Sequence, residues 1–156
     1  MLYSKTAEYA IRALTVMALR PPGTFFQVKQ IAALEPISPS FLSKIMRDLT
    51  RARILKSVRG PSGGFYLARK ASDISLWDVV TNIDSPETFD SCLLGLEECL
   101  DENPCPMHYS FKPLREATQR YLRTCSIEEL SDGYKKRHQD RAIQLDYLLS
   151  SSQNSV

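Results

Sequence analysis

The sequence has no apolar run of the roughly 18 residues needed to cross a bilayer. Its early segment carries Lys5, Glu8 and Arg12, and so lacks the apolar stretch of a secretory signal. Together these absences predict a cytoplasmic chain without membrane contact. No Gly-rich phosphate loop, nucleophile–base set or pair of catalytic carboxylates stands out, so the protein is not expected to be an enzyme. Histidine and cysteine are scarce as well, with two and four residues. Where thiols stay reduced they do not build a disulfide framework, and clustered cysteines bind metal more often than they pair.

A chain of 156 residues that is 43% hydrophobic can bury one core of ordinary size. The formal net charge of +2 conceals a strong asymmetry. Residues 1–84 carry twelve Lys/Arg against six Asp/Glu, whereas residues 85–110 carry six acids and no Lys or Arg. Basic charge is densest between Lys44 and Lys70, where eight Lys/Arg meet the single acid Asp48. Such a run suits a polyanion, although it also describes a solvated face.

Ala7, Ala10, Ile11, Leu14, Met17 and Ala18 form the stripe of an amphipathic helix over Ser4–Leu19, which Pro21-Pro22-Gly23 ends. Val28–Leu34 reads as a short second helix, and Pro36–Pro39 as a turn in which Ser38 can cap the third, with Pro39 at its first position. In that third helix, Pro39 to about Ala52, Leu42, Ile45, Met46 and Leu49 face a core. Ser40, Ser43, Lys44, Arg47 and Arg51 make a short, polar, basic stripe opposite, the pattern of a helix that enters a major groove. Ile54–Val58 and Phe65–Ala68 then read as two strands around Arg59-Gly-Pro-Ser-Gly-Gly64. A hairpin directly after a recognition-type helix is a wing, and Arg59 beside its Gly-rich tip can enter a minor groove.

Ser75 caps a further helix to about Ile83, with the stripe Leu76, Val79, Val80 and Ile83. Pro113 to about Thr124 is predicted as a long helix with Leu114, Ala117, Thr118, Tyr121, Leu122 and Cys125 on one side. The winged helix already has a core, so this stripe calls for the same helix of a second subunit. Cys125 packs within it as a small hydrophobe. Ser126 opens a short last helix to about Asp132, with Gly133 as its stop. The predicted organisation is a winged helix-turn-helix over 1–84, a cysteine-rich loop over 85–110, dimerisation and short helices over 111–134, and a polar, disordered tail over 135–156. In fold class this is mainly α with a small β-hairpin. His138 reads as plain surface.

Three of the four cysteines, Cys92, Cys99 and Cys105, lie within fourteen residues, and His108 follows three positions later. Three thiolates and an imidazole make a full ligand set for zinc or for an iron–sulfur cluster. The spacings lack the tight Cys-x2-4-Cys knuckle of structural zinc sites. A reversible disulfide sensor is the further alternative.

Taken together, the opening Ser4-Lys-Thr-Ala-Glu-Tyr-Ala-Ile-Arg-Ala-Leu14, Ile37-Ser-Pro-Ser-Phe-Leu42, the wing Ser57–Gly64 and the cysteine trio resemble the Rrf-two family of bacterial transcription regulators, with its IscR, NsrR and RirA types. The resemblance implies a homodimer that binds double-stranded DNA, with Cys92, Cys99 and Cys105 holding an iron–sulfur cluster. In the IscR pattern the place of His108 completes a [2Fe–2S] site, which is the favoured reading. The NsrR pattern implies a [4Fe–4S] cluster with an acidic ligand near the start of the other subunit, about the place of Glu8. The reading head then comprises Ser38, Ser40, Phe41, Ser43, Lys44, Arg47 and Arg51 with the wing residues Arg59, Gly60, Pro61, Ser62 and Gly63. The first cysteine gap is one residue longer than in the IscR pattern. Ser43 replaces a glutamate that tunes that type's choice of site, so the target sequence does not carry over. Cluster ligation is expected to order the acidic loop and set the geometry of the dimer. In the free loop Glu97, Glu98, Asp101 and Glu102 are expected to lie near the reading head.

Overall fold

The computed structural model describes residues 2–60, 63–96 and 99–137, together with 144, 146 and 149. Pro61, Ser62, Glu97, Glu98, His138 and the Ser151–Ser155 end lie outside the described residues. The elements are α1 (Lys5–Ala18), α2 (Val28–Leu34), α3 (Pro39–Arg51), β1 (Leu55–Val58), β2 (Gly64–Leu67), α4 (Leu76–Asp84), α5 (His108–Thr124) and α6 (Ile127–Arg137). Short 3-10 turns cover Ala71–Asp73 and Pro86–Phe89. The fold is therefore mainly helical with one hairpin, as predicted.

Helix α1 is buried on more than one side, with Ala7, Ala10, Ala13, Leu14 and Val16 all at 0% exposure. Such a helix belongs at the centre of a core rather than on its rim, and α1 packs against α3, α4 and α6. Ser4 caps it by accepting the Ala7 N–H at 3.1 Å, while its own N–H donates to Asp84 at the end of α4. Helix α3 presents Leu42, Ile45, Met46 and Leu49 to this core. It ends where Arg53 takes a left-handed conformation (φ 58°), which lets the Ile54 N–H reach the Leu49 carbonyl at 3.0 Å.

The antiparallel hairpin pairs Leu55 with Leu67 and Val58 with Gly64. At its tip Gly60 has φ 118°, a conformation that only glycine adopts cheaply. A Cβ on Gly63 would stand 2.1 Å from the Val58 carbonyl oxygen, so no other residue fits there without shifting the backbone. Phe26 adds a bridge outside β2: its N–H donates to the Phe65 carbonyl at 2.8 Å and its carbonyl accepts from Phe65 at 2.9 Å.

The late helices depart from expectation. Helix α5 starts at His108, five residues before Pro113. The proline removes one intrahelical bond, to Tyr109, whose surroundings are exposed enough for water to replace it. Helix α6 passes Gly133 and runs to Arg137, because Tyr134 packs on the core and its hydroxyl donates to Glu35 at 3.2 Å. Lys135–Arg137, expected in the tail, are thus helical, and Leu149 packs against the core. The α5 stripe also divides. Leu122 is fully buried, whereas Leu114 and Tyr121 are 64% and 54% exposed. Leu122 and Ile127 belong to the same core as α1. A backbone bridge between Ser75 and Ser126, with Leu76 N–H to Cys125 O and Ile127 N–H to Ile74 O both at 2.9 Å, seats the α5–α6 junction on the start of α4.

This anchoring has a measurable size. Leu122→Ala is expected to cost about 2–5 kcal/mol in chemical denaturation. A loss below about 0.5 kcal/mol, the range of surface changes, would contradict the anchoring.

Candidate metal centre and nucleic-acid interface

Ser38 forms the N-cap of α3, accepting the Phe41 N–H at 3.4 Å. With that helix start in place, Ser40, Phe41, Lys44, Arg47 and Arg51 stand exposed on the face away from the core, and Ser43 is half-buried among them. Phe41 rests edge-on against Tyr9 of α1 at 6.1 Å between ring centres. Arg47 donates back to the Ser43 carbonyl at 3.3 Å, and Arg51 pairs with Asp48. A cleft of about 400 Å³ between α3 and the hairpin is lined by Lys44, Arg47, Asp48, Thr50, Arg51, Ser57 and Phe65. Arg59 and Gly60 are exposed at the hairpin tip. Two basic elements thus flank one open groove, as backbone contacts to a polyanion require.

The cysteine segment is tied down from α5. The Gln119 side-chain amide donates to the Phe89 carbonyl at 3.2 Å and to Asp90 Oδ1 at 3.0 Å, and Arg115 donates to the Asp90 carbonyl at 3.4 Å. Below them Phe89 packs on Trp77, 5.2 Å between ring centres, and the Arg123 guanidinium covers the indole at 3.7 Å. Cys92 follows directly and is 7% exposed.

Cys92, Cys99, Cys105 and His108 line one small cavity of about 10 Å³, together with Met107, Phe111 and Lys112. The donors fall into two pairs: Cys92 Sγ and Cys105 Sγ are 3.9 Å apart, and Cys99 Sγ is 3.4 Å from His108 Nδ1. Backbone N–H groups of Leu94 and Leu96, with the Cys105 thiol, hold the Cys92 thiol below the usual range. Among the described residues no three His, Cys, Asp or Glu side chains are gathered closely enough for a single metal ion. The donor set is nonetheless right in kind for an iron–sulfur cluster, soft thiols with one imidazole lining one cavity, and its pairwise arrangement suits a centre of more than one metal.

His108 is 3% exposed, and its other nitrogen, Nε2, lies 2.7 Å from Asp101 Oδ1. Lys112 donates to both Asp101 oxygens, at 2.8 and 2.7 Å. These contacts, Lys112 first, lower the Asp101 carboxyl below its ordinary range, and Asp101 in turn raises Lys112. Glu8 is not among the cavity residues; it pairs with Lys5 at 2.8 Å and Arg12 at 3.4 Å, which hold its carboxyl below the usual range. Cys125 lies apart from the trio, half-buried at the end of α5, where burial pushes its thiol up.

The profile of the Rrf2 family, described as iron-dependent transcriptional regulators, matches residues 3–133. The chain belongs to the Rrf2 family. It is 32% identical over 132 residues to a candidate HTH-type transcriptional regulator of Aquifex aeolicus, covering 83% of this chain and 91% of that one. It is 29% identical over 130 residues to the HTH-type transcriptional regulator IscR of Yersinia pseudotuberculosis, covering 83% and 79%. Among solved structures it resembles CymR, the global cysteine regulator of B. subtilis, with TM-score 0.70, 24% identity and coverage of 83% and 95%. It also resembles T. potens IscR, with TM-score 0.68, 20% identity and coverage of 86% and 88%. The protein is accordingly a DNA-binding transcriptional regulator with a winged helix, and not an enzyme.

In this family member the three cysteines and His108 named from sequence line one cavity. Asp101 and Lys112, absent from the ligand set expected from sequence, also border the site. The available signals were the Cys99-x-Asp101 spacing and the four-residue step from His108 to Lys112 along one helix face. The Trp77–Phe89–Arg123 stack was not legible either, as it joins residues far apart in sequence. Trp77 is the chain's single tryptophan, so the stack is directly observable. Arg123→Ala is expected to shift its emission and to cost about 0.5–2 kcal/mol of stability. Unchanged emission and unchanged stability would count against the stack.

Proposed function

We propose that this Rrf2-family protein is a cytoplasmic homodimer whose affinity for double-stranded operator DNA is set by an iron–sulfur cluster held by Cys92, Cys99, Cys105 and His108. The observation that carries this reading is the convergence of three thiols and one imidazole on a single cavity at the start of α5. Their grouping as Cys92 with Cys105 and Cys99 with His108 supports a [2Fe–2S] centre over a [4Fe–4S] one. It weighs against a mononuclear zinc site, which needs its ligands around one point. When bound, such a cluster supplies a redox couple and bonds sensitive to iron supply, oxidants and nitric oxide. The rest is the work of the chain itself. Arg115 and Gln119 hold the loop to α5, and Leu122 holds α5 to the reading domain. Leu114, Ala117 and Tyr121 offer an apolar face to a second copy. A change in the loop can then alter how two reading heads are spaced.

The DNA-contacting set is Ser38, Ser40, Phe41, Ser43, Lys44, Arg47 and Arg51 of α3 with Arg59, Gly60, Pro61, Ser62 and Gly63 of the wing. A second reading, a thiol switch without a cluster, rests on the 3.9 Å between the Cys92 and Cys105 sulfurs. Oxidation by a peroxide would join them as a disulfide, two thiols giving up two electrons and two protons while the peroxide becomes water.

Anaerobic purification decides between these. The expected result is a coloured protein with iron and sulfide in equal amounts, lost on Cys92→Ala, Cys99→Ala or Cys105→Ala. A colourless protein that loses two thiols under peroxide would replace the cluster reading with the thiol switch, and stoichiometric zinc would overturn both. For the reading head, Lys44→Ala and Arg59→Ala are each expected to weaken binding to duplex DNA and to lower its salt slope by about 1. Unchanged affinity in both variants would displace the interface from α3 and the wing.

A further inference from the structure

The His108 ring is almost fully buried, yet both its nitrogens have partners. Nδ1 faces the Cys99 sulfur at 3.4 Å, and Nε2 meets an Asp101 oxygen at 2.7 Å. An ionised carboxylate accepts hydrogen bonds and donates none, so the hydrogen of the neutral ring sits on Nε2 and the Nδ1 lone pair points to the thiol side. Lys112 lies one helical turn after His108 on α5 and grips the same carboxylate through both oxygens. One loop side chain is thereby bound to two successive positions of one helix face. Asp101 is also two residues after Cys99, so the same contact that orients the ring draws Cys99 over the first turn of α5.

We infer that Asp101, itself held by Lys112, is a positioning residue: its carboxylate fixes the hydrogen of His108 on Nε2 and turns Nδ1 toward the thiols as the nitrogen available for ligation. This inference rests on the cluster reading for its purpose but not for its geometry. Carboxylate partners of ligating histidines fix ring orientation in this way, and losing one typically weakens metal holding by roughly 10–100-fold. The Asp101 side chain is 61% exposed, so its removal leaves the hydrophobic core untouched.

Two measurements test it. The first uses metal-free, 15N-labelled full-length protein carrying His138→Gln, which leaves His108 as the only imidazole. Nuclear magnetic resonance is expected to show a protonated Nε2 whose hydrogen exchanges slowly with water, and an unprotonated Nδ1. Asp101→Ala should lose that protected hydrogen, and Asp101→Asn, whose amide oxygen can still accept, should keep it. The same protected hydrogen in Asp101→Ala, or none in the parent, overturns the inference whether or not a cluster exists. The second uses anaerobically purified protein and follows loss of visible absorption to a chelator. Asp101→Ala should lose iron about 10–100-fold faster than wild type, Lys112→Ala should fall between the two, and Asp101→Asn should stay near wild type. Equal rates for Asp101→Ala and wild type would overturn its role toward the metal. Iron-free wild type would instead defeat the cluster reading, with the resonance experiment still deciding what Asp101 does to His108.

Discussion

The seating of helix α5 is the constraint on which the rest of the molecule depends. Among its seventeen residues only His108 and Leu122 are buried, one at the first position and one near the end. Leu122 and the Ser75–Ser126 bridge fix the far end to the core around α1 and to the start of α4, and about 21 Å of helix, at 1.5 Å per residue, carries that fixity to His108. A helix with so little buried surface gains little stability of its own. Its rigidity comes from regular backbone hydrogen bonding, and its direction comes from the two points where it is held.

The cysteine segment takes its order from the same helix. Phe89 and Asp90 are bound by Gln119 and Arg115, and Asp101 by Lys112 and His108. The strong acidity of residues 85–110 invites the thought that this loop shields the basic reading head. Asp101, however, is engaged by the basic side of α5, and Glu102 is exposed. For Asp101 the charge complement is Lys112 of α5. The ion pair at Asp101 is largely solvated, so its value lies more in geometry than in binding energy.

How far the fold could be read varied with the range of the deciding interaction. Helices α2 and α3 follow local signals, a proline turn, the Ser38 cap and the stripe Leu42–Ile45–Met46–Leu49, and the structure keeps them nearly as predicted. The boundaries at Pro113 and Gly133 misled because both residues are local breakers that a distant contact outweighs. His108 starts α5 early through burial beside the cysteines, and Tyr134 carries α6 onward by reaching Glu35, 99 residues away. The Phe26 bridge beside β2 has no sequence signature, since one residue pair is too short to show alternation. In the candidate centre the donors were visible as a cluster of rare residues. Their division into Cys92 with Cys105 and Cys99 with His108 was not, because spacing along an irregular loop does not define distance in space.

The sequence by itself determined the classes of part: three amphipathic helices, the third with a basic face, a glycine-tipped hairpin, and three thiols with an imidazole in an acidic loop. Those properties reside in residue identity and short-range periodicity, which the chain carries whether folded or not. Only the tertiary structure decided that Leu122 joins the core around α1 while Leu114 and Tyr121 stay outside it. It also decided that the thiols and His108 share one cavity and that the second nitrogen of His108 is bound by Asp101. These outcomes depend on which buried surfaces and backbone groups could be satisfied together. That balance is struck between residues far apart in the chain, and no local pattern records it.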